Sequence, residues 1–282
     1  MTQTTPTWFI TGASSGFGTA FARHALDRGY NVVATARTPA KLEALRALAP
    51  ERVLTLKLDV TARGDAAQAV AAAAARFGRI DVLFNNAGYG IVGALEETPE
   101  EELRAQLETN FFGAVETTRA VLPVMRAQRS GAIVNVSSLG GQLSVAGFGA
   151  YSASKFALEG VSEALAQEVA PFGIRVLIVE PGAFRTSFAA EALKHMPVME
   201  AYRDVVGGTR QFAHGMNGTQ EGDPLRAAEA IERALGAERT PLRLQLGADA
   251  VGSVRAHAEQ LLADLAAWEQ VSTDVGFRAA VA

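Results

Sequence analysis

Short apolar runs and longer helical patterns alternate along almost the whole chain. The runs Trp8-Thr11, Asn31-Ala36, Val53-Leu58, Val82-Asn85, Ala132-Ser137, Arg175-Val179 and Arg243-Leu246 have the length and composition of strands. Asn31-Val32-Val33-Ala34-Thr35-Ala36 is apolar at nearly every position rather than at alternate ones, as a strand covered on both faces must be. The alternation predicts βαβ units on a parallel sheet with helices on both faces. Gly29 and Gly78 fall where a helix end wants a left-handed residue. Thr98-Pro99-Glu100-Glu101 predicts a helix start, with Thr98 as N-cap, Pro99 in the first helical position and Glu101 closing a capping box.

Connections are short as far as Phe184. Residues 184–224 hold five glycines, Pro197 and scattered Met and aromatic residues with no strand-like run. They predict a partly helical excursion over the sheet, a candidate lid and a source of substrate contacts. Beyond the last strand, Val251, Val254, Ala258, Leu261, Leu262, Leu265 and Trp268 recur at helical spacing. Residues 249–282 therefore read as a C-terminal helical extension whose stripe serves core or subunit packing. No repeat, linker or boundary divides the chain, so residues 1–282 are expected to form one domain.

Composition narrows the function classes. With 49% hydrophobic and 20% charged residues in 282, the chain can bury a large core. A net charge of -4 offers no basic excess for a nucleic-acid partner. The absence of cysteine excludes disulfides, zinc-thiolate sites and a Cys nucleophile. His24, His195, His214 and His257 are dispersed and form no metal-binding pattern, so no metal is expected. The start of the sequence lacks the charged and apolar regions of a secretory signal, and the apolar stretch near Ala66-Ala75 is too short to span a bilayer. A cytoplasmic location without a membrane partner is expected.

Chemistry gathers at strand ends. The first strand runs into Thr11-Gly12-Ala13-Ser14-Ser15-Gly16-Phe17-Gly18 and then a helical pattern. Glycines there let the backbone turn tightly against a pyrophosphate, which the helix N-terminus attracts. The second strand ends in Arg37 where a NAD enzyme of this architecture would place a carboxylate for the ribose 2′-hydroxyl. A guanidinium pairs instead with a 2′-phosphate, which favours NADP(H); an ordinary solvated arginine is the competing reading, and NAD(H) stays open. Asp59, followed by Val60, is placed to accept from an adenine amino group or to act as a helix cap. Asn86-Ala87-Gly88 supplies small residues for close cofactor approach or a plain turn.

Tyr151 and Lys155 are separated by one helical turn and lie on one face. A phenol with a pKa near 10 is a poor base at neutral pH, and a nearby ammonium favours its phenolate. Tyr151 can then exchange a proton with an alkoxide or alcohol.

The motifs TGASSGFG, LDV, NNAG, VSS, YSASK and PGAFRT, in this order and spacing, resemble those of the short-chain dehydrogenase/reductase family from about Thr7 to Thr186. The resemblance implies a single-domain, Rossmann-type, doubly wound α/β fold with a mainly parallel seven-stranded sheet, assembled as a dimer or tetramer. It implies Tyr151 as acid/base, Lys155 lowering its pKa and holding the nicotinamide ribose, Ser138 bonding the substrate oxygen, and Asn110 supporting a water relay. Pro181, Gly182, Phe184 and Thr186 would cradle the nicotinamide carboxamide. Ser15 stands where many NADPH-preferring members carry a basic residue, leaving Arg37 alone to read the phosphate. Asn85-Asn86-Ala87-Gly88-Tyr89-Gly90 also resembles the 17β-hydroxysteroid dehydrogenase-like branch.

The expected activity is NADPH-dependent interconversion of a small-molecule carbonyl and an alcohol, with Gly140, Gln142, Leu143 and Phe148 contacting substrate. NAD-dependent alcohol or hydroxysteroid oxidation and a non-catalytic NADPH-binding regulator are the alternatives.

Overall fold

The computed structural model describes residues 5–277. The outermost positions of the expected domain and C-terminal extension, 1–4 and 278–282, lie outside the described residues. Among the described residues nine strands are formed: β1 (Thr7–Ile10), β2 (Asn31–Ala36), β3 (Val53–Lys57), β4 (Val82–Asn85), β5 (Gly90–Val92), β6 (Gly131–Val136), β7 (Ile174–Pro181), β8 (Leu193–His195) and β9 (Arg243–Leu246). Seven build one sheet in the order β3-β2-β1-β4-β6-β7-β9, with every pairing parallel.

Successive strand residues point to opposite faces, and both faces are apolar. Trp8, Ile10, Val32, Ala34, Phe84 and Val134 enter one core, while Phe9, Val33, Leu83 and Ile133 enter the other. The first core is closed by α1 (Gly16–Asp27), α2 (Glu43–Leu48) and α9 (Pro224–Leu235). The second is closed by α3 (Asp65–Phe77), α5 (Gly113–Gln128) and α6 (Gly149–Val169). This two-sided burial is why the strands read as continuous apolar runs.

Connections from β1 run outward through β2 to β3, then return across the sheet to β4. The crevice beyond the carboxyl ends of β1 and β4 is therefore the topological switch point, where open α/β sheets bind ligands.

Some expectations change. Helix α4 (Glu100–Leu107) is capped by Pro99, whose carbonyl accepts from Glu102 and Leu103, not by Thr98. The Thr98 hydroxyl turns back to donate to the Ala94 carbonyl at 2.9 Å, so the capping box does not form. The excursion carries α7 (Phe188–Glu191) and α8 (Arg203–Gly215), and also β8, which pairs in parallel with β5. A strand was not expected there. Glu97 fastens the excursion: its buried carboxylate accepts from the N–H groups of Ala94 (2.6 Å) and Met199 (2.8 Å) and pairs with Arg210 at 2.7 Å. Burial opposes its ionisation, but these donors hold it below the ordinary carboxylate range.

A buried polar cluster backs the loop after β6. Arg243 meets Glu159 at 3.0 Å, Glu180 at 3.3 Å and Glu163 at 2.7 Å, and the Gln245 amide donates to Glu180 at 2.6 Å. Burial, together with the charge of Glu159, pushes Glu180 up to about 7. Between the unfolded value near 4.5 and the folded value, the folded state holds a proton that the unfolded state has lost, so stability falls as pH rises through this window. Thermal melts should show a decline in Tm from pH 5 to pH 7 that Glu180→Gln flattens; an equal decline in the variant would remove Glu180 as its source.

Candidate active site

Thr11 stands one residue past β1, and its hydroxyl joins the two central strands at their ends. It donates to the Phe84 carbonyl at 3.1 Å and accepts from the N–H groups of Asn86 (2.9 Å) and Ala87 (3.0 Å). The Asn86 amide donates back to the carbonyls of Thr11 (2.9 Å) and Gly12 (3.1 Å). Asn86 thus braces the two loops with its side chain. Ala87 lies hard against Gly12, where an added Cβ would sit 3.0 Å from the Ala87 Cα.

Gly12 has φ +64°, a conformation that disfavours a side chain. Gly18 is required for another reason: a Cβ there would fall 2.3 Å from the Gly12 carbonyl oxygen, inside the strand-to-helix turn. Ser14 and exposed Ser15 lead into the N-terminus of α1, whose first N–H groups have no helical acceptor. Gly16 faces Thr186 across a gap of 3.3 Å from its virtual Cβ. Phe17 packs on Phe184 with ring centroids 5.0 Å apart. A cavity of about 550 Å³ opens on this side, bordered by Gly16, Arg23, Arg185 and Thr186.

Arg37 is exposed immediately after β2 and faces Asp59 closely enough to favour its ionised form. Burial works against the Asp59 charge, but hydrogen bonds from Thr61 outweigh it and leave the carboxyl below its usual range. Oδ1 of Asp59 accepts from the Thr61 N–H at 3.0 Å and hydroxyl at 2.8 Å. Asp59 therefore closes a tight turn and is not the cap of α3, whose N-cap is Gly64. The Val60 side chain packs against Gly113 of α5.

Tyr151 and Lys155 occupy the first turns of α6 facing the end of β6. The Lys155 Nζ donates to the Val136 carbonyl at 2.8 Å and stands 5.7 Å from the centre of the Tyr151 ring. The Ser138 hydroxyl hydrogen-bonds the phenol and also accepts from the Gly140 N–H at 3.0 Å. Asn110 sits in a π-turn, Glu108–Phe112, that interrupts the helix between α4 and α5. Its amide clasps the Tyr89 backbone, accepting at 3.1 Å and donating at 2.9 Å, and donates to Ser154 at 3.0 Å. A Cβ on Gly88 would lie 3.0 Å from Asn110 Oδ1 and 3.8 Å from Lys155 Nζ, so the glycine keeps these groups together.

Electrostatics depart from the sequence expectation. Burial pushes the Tyr151 phenol up to about 12, with only the Ser138 hydrogen bond acting against it. Burial likewise brings Lys155 down to about 8, opposed by the charge of Glu159. The Lys155 amine is turned to the Val136 carbonyl, and both groups are desolvated. At neutral pH the phenol keeps its proton.

Among the expected substrate contacts, Gly140 lies against the Tyr151 ring and Phe148 is 6.1 Å from it, centre to centre. Leu143 is half-buried just beyond the turn. Gln142 is different: its amide donates to Glu159 and Glu180 at 3.1 Å each, turned inward by the buried carboxylates and away from the substrate role assigned to it. Phe188 on α7 is a wall residue the sequence did not single out, 5.9 Å from Tyr151. Asp249 was also missed. Its carboxylate accepts from the Ala183 N–H at 2.7 Å and packs on Gly182, bracing the loop after Pro181.

Residues 6–197 match the family model for short chain dehydrogenases. The chain is 42% identical over 269 residues to the oxidoreductase BOA17 of Botryotinia fuckeliana, covering 95% of this chain and 98% of that one. A short-chain dehydrogenase from Streptomyces avermitilis superposes with a TM-score of 0.93 at 50% identity, over 98% of this chain and all (100%) of that one. Two more distant structures, each 26% identical, hold cofactors. One from Burkholderia phymatum is in complex with NAD (TM-score 0.81, covering 92% of this chain and 95% of that one). The other, an alcohol dehydrogenase of Thermococcus sibiricus, is complexed with 5-hydroxy-NADP (TM-score 0.71, covering 86% and 96%). With its all-parallel sheet and glycine turn at the switch point, the chain belongs to the short-chain dehydrogenase/reductase family of NAD(P)-dependent oxidoreductases.

Proposed function

We propose that this enzyme reduces a ketone or aldehyde to the alcohol, with NADPH as cofactor and Tyr151 as the proton donor. The observation that carries this reading is the neutral Tyr151 phenol, held beside the Ser138 hydroxyl and pushed up to about 12. A neutral phenol is equipped to give a proton to a developing alkoxide at neutral pH. The cradle fits a dinucleotide. Glycine is sterically required at Gly18, the α1 N-terminus is open to a pyrophosphate, and Arg37 and Asp59 flank the far end.

When bound, the cofactor supplies the hydride. The Tyr151 and Ser138 hydroxyls polarise the carbonyl and stabilise charge as it develops on oxygen. Lys155 contributes positive charge behind the ring, and Asn110 fixes the segment that carries Tyr89. Phe148 and Phe188 flank Tyr151 with apolar surface, which suits a hydrophobic or aromatic carbonyl. Residues 184–224 act as a lid within a single domain, latched through Glu97 and Arg210. Pairing of Arg37 with a 2′-phosphate supports NADPH over NADH. Exposed Ser15 adds no second cation, so the preference rests on one residue. Placement in the 17β-hydroxysteroid dehydrogenase-like branch remains part of this proposal, on the residues Asn85–Gly90, without implying a steroid substrate. No described helix is long and apolar enough to cross a membrane.

Tyr151→Phe should lower kcat for carbonyl reduction by about 10²–10⁴ while the Kd for NADPH changes less than about twofold, as loss of a general acid predicts; retained turnover would overturn the assignment. Arg37→Asp should weaken NADPH binding by roughly 10–100-fold, the value of a lost charge-assisted hydrogen bond, and leave NADH binding nearly unchanged; an unaltered cofactor ratio would dismiss the role. The pH profile of kcat/KM for reduction should fall above an apparent value of about 8 as Lys155 loses its proton, with Tyr151 still protonated. Lys155→Arg should abolish that fall, and its persistence would assign the titration elsewhere.

A further inference from the structure

Helix α10 (Ala248–Thr273) begins inside the fold and then leaves it. Ala250 is fully buried, and Val254 and His257 are half-buried against the body. From Ala258 to Phe277 every residue is exposed. The helical part of that arm, through Thr273, is about 24 Å long at 1.5 Å per residue. Most of the stability of a protein helix comes from packing of an apolar face. Yet Leu261, Leu262, Leu265 and Trp268 on it are 56%, 67%, 66% and 64% exposed.

The apolar positions follow a stricter rule than helical periodicity. Val251, Val254, Ala258, Leu261, Leu265 and Trp268 on α10 are separated by alternating steps of three and four, the a/d ladder of a two-stranded coiled coil. Such a seam is covered by a helix carrying the same ladder, and a second copy of this chain supplies one.

We propose that α10 pairs antiparallel with α10 of a second copy. In that alignment Leu261 meets Leu265 of the second copy. Small Ala258 meets large Trp268. On one flank Arg255 faces Glu269 of the second copy, twice by symmetry, and Leu262 meets its own counterpart at the axis. Neither Arg255 nor Glu269 forms an ion pair among the described residues of its own chain. The other flank brings Asp264 near its counterpart, a single like-charge approach.

The parallel alignment is worse on every count. It sets Trp268 on Trp268, leaves a void between two alanines at position 258, and brings Asp264 to Glu269 twice. Antiparallel pairing also carries the C-terminal end of one copy's α10 to the start of the other's. That start is where Asp249 braces the Ala183 loop of the candidate site.

The chain has no cysteine, so the full-length double variant Ala258→Cys/Trp268→Cys reports the geometry without background. Within one helix these positions are about 15 Å apart, too far for a disulfide. Mild oxidation should give a covalent dimer whose peptide map contains a 258–268 cross-linked peptide, with carbonyl-reducing activity retained. Only 258–258 and 268–268 links, or no link, would overturn the proposal. Arg255→Glu and Glu269→Arg should each weaken α10-mediated association about tenfold, and mixing the two variants should restore it; a mixture as weak as its components would contradict the pairing.

Discussion

Two strand ends meet at the Thr11 hydroxyl, and the site is assembled around that junction. By donating to Phe84 and accepting from Asn86 and Ala87, it holds the glycine loop after β1 against the loop after β4. The close fit leaves no room for a Cβ at Gly18. The same packing aims the N-terminus of α1 into the crevice and places Gly88 beside Asn110 and Lys155. Loss of that junction would disturb the proposed cofactor cradle and the proposed catalytic face together.

Burial sets the chemistry of the opposite wall. Removing Tyr151 and Lys155 from water disfavours the charged form of each, so their values, nearly equal in water, move apart, the phenol up to about 12 and the amine down to about 8. Tyr151 thereby keeps its proton at neutral pH, as the proposed proton donor must, while Lys155 titrates near 8. Behind them, Glu159, Glu180 and Arg243 form a second desolvated set that secures Gln142 and the turn carrying Ser138. One wall therefore combines a rigid polar backing with apolar flanks at Phe148 and Phe188.

The sheet was legible because its strands are apolar on both faces, and all seven appear within two residues of their expected bounds. The glycine turn and the Tyr151–Lys155 pair were legible because sequence spacing fixes their geometry locally. What escaped depends on contacts distant in sequence. The ribbon of β5 and β8 consists of three-residue strands with no period of their own. Gln142 reads as a loop residue until Glu159 and Glu180 are seen behind it. Asp249 and Glu97 acquire meaning only from the backbone N–H groups they meet. The direction of the Tyr151 shift depends on desolvation, which a motif does not encode. The stripe on α10 was visible as a pattern, but its exposure was not.

Calorimetric titration of the purified protein with NADPH and with NADH, each in turn, tests the central assignment most directly. The expected result is competitive binding at one site with NADPH the tighter ligand, by the contribution of Arg37. Binding of neither cofactor would contradict the reading of the crevice at β1 and β4 as a dinucleotide site.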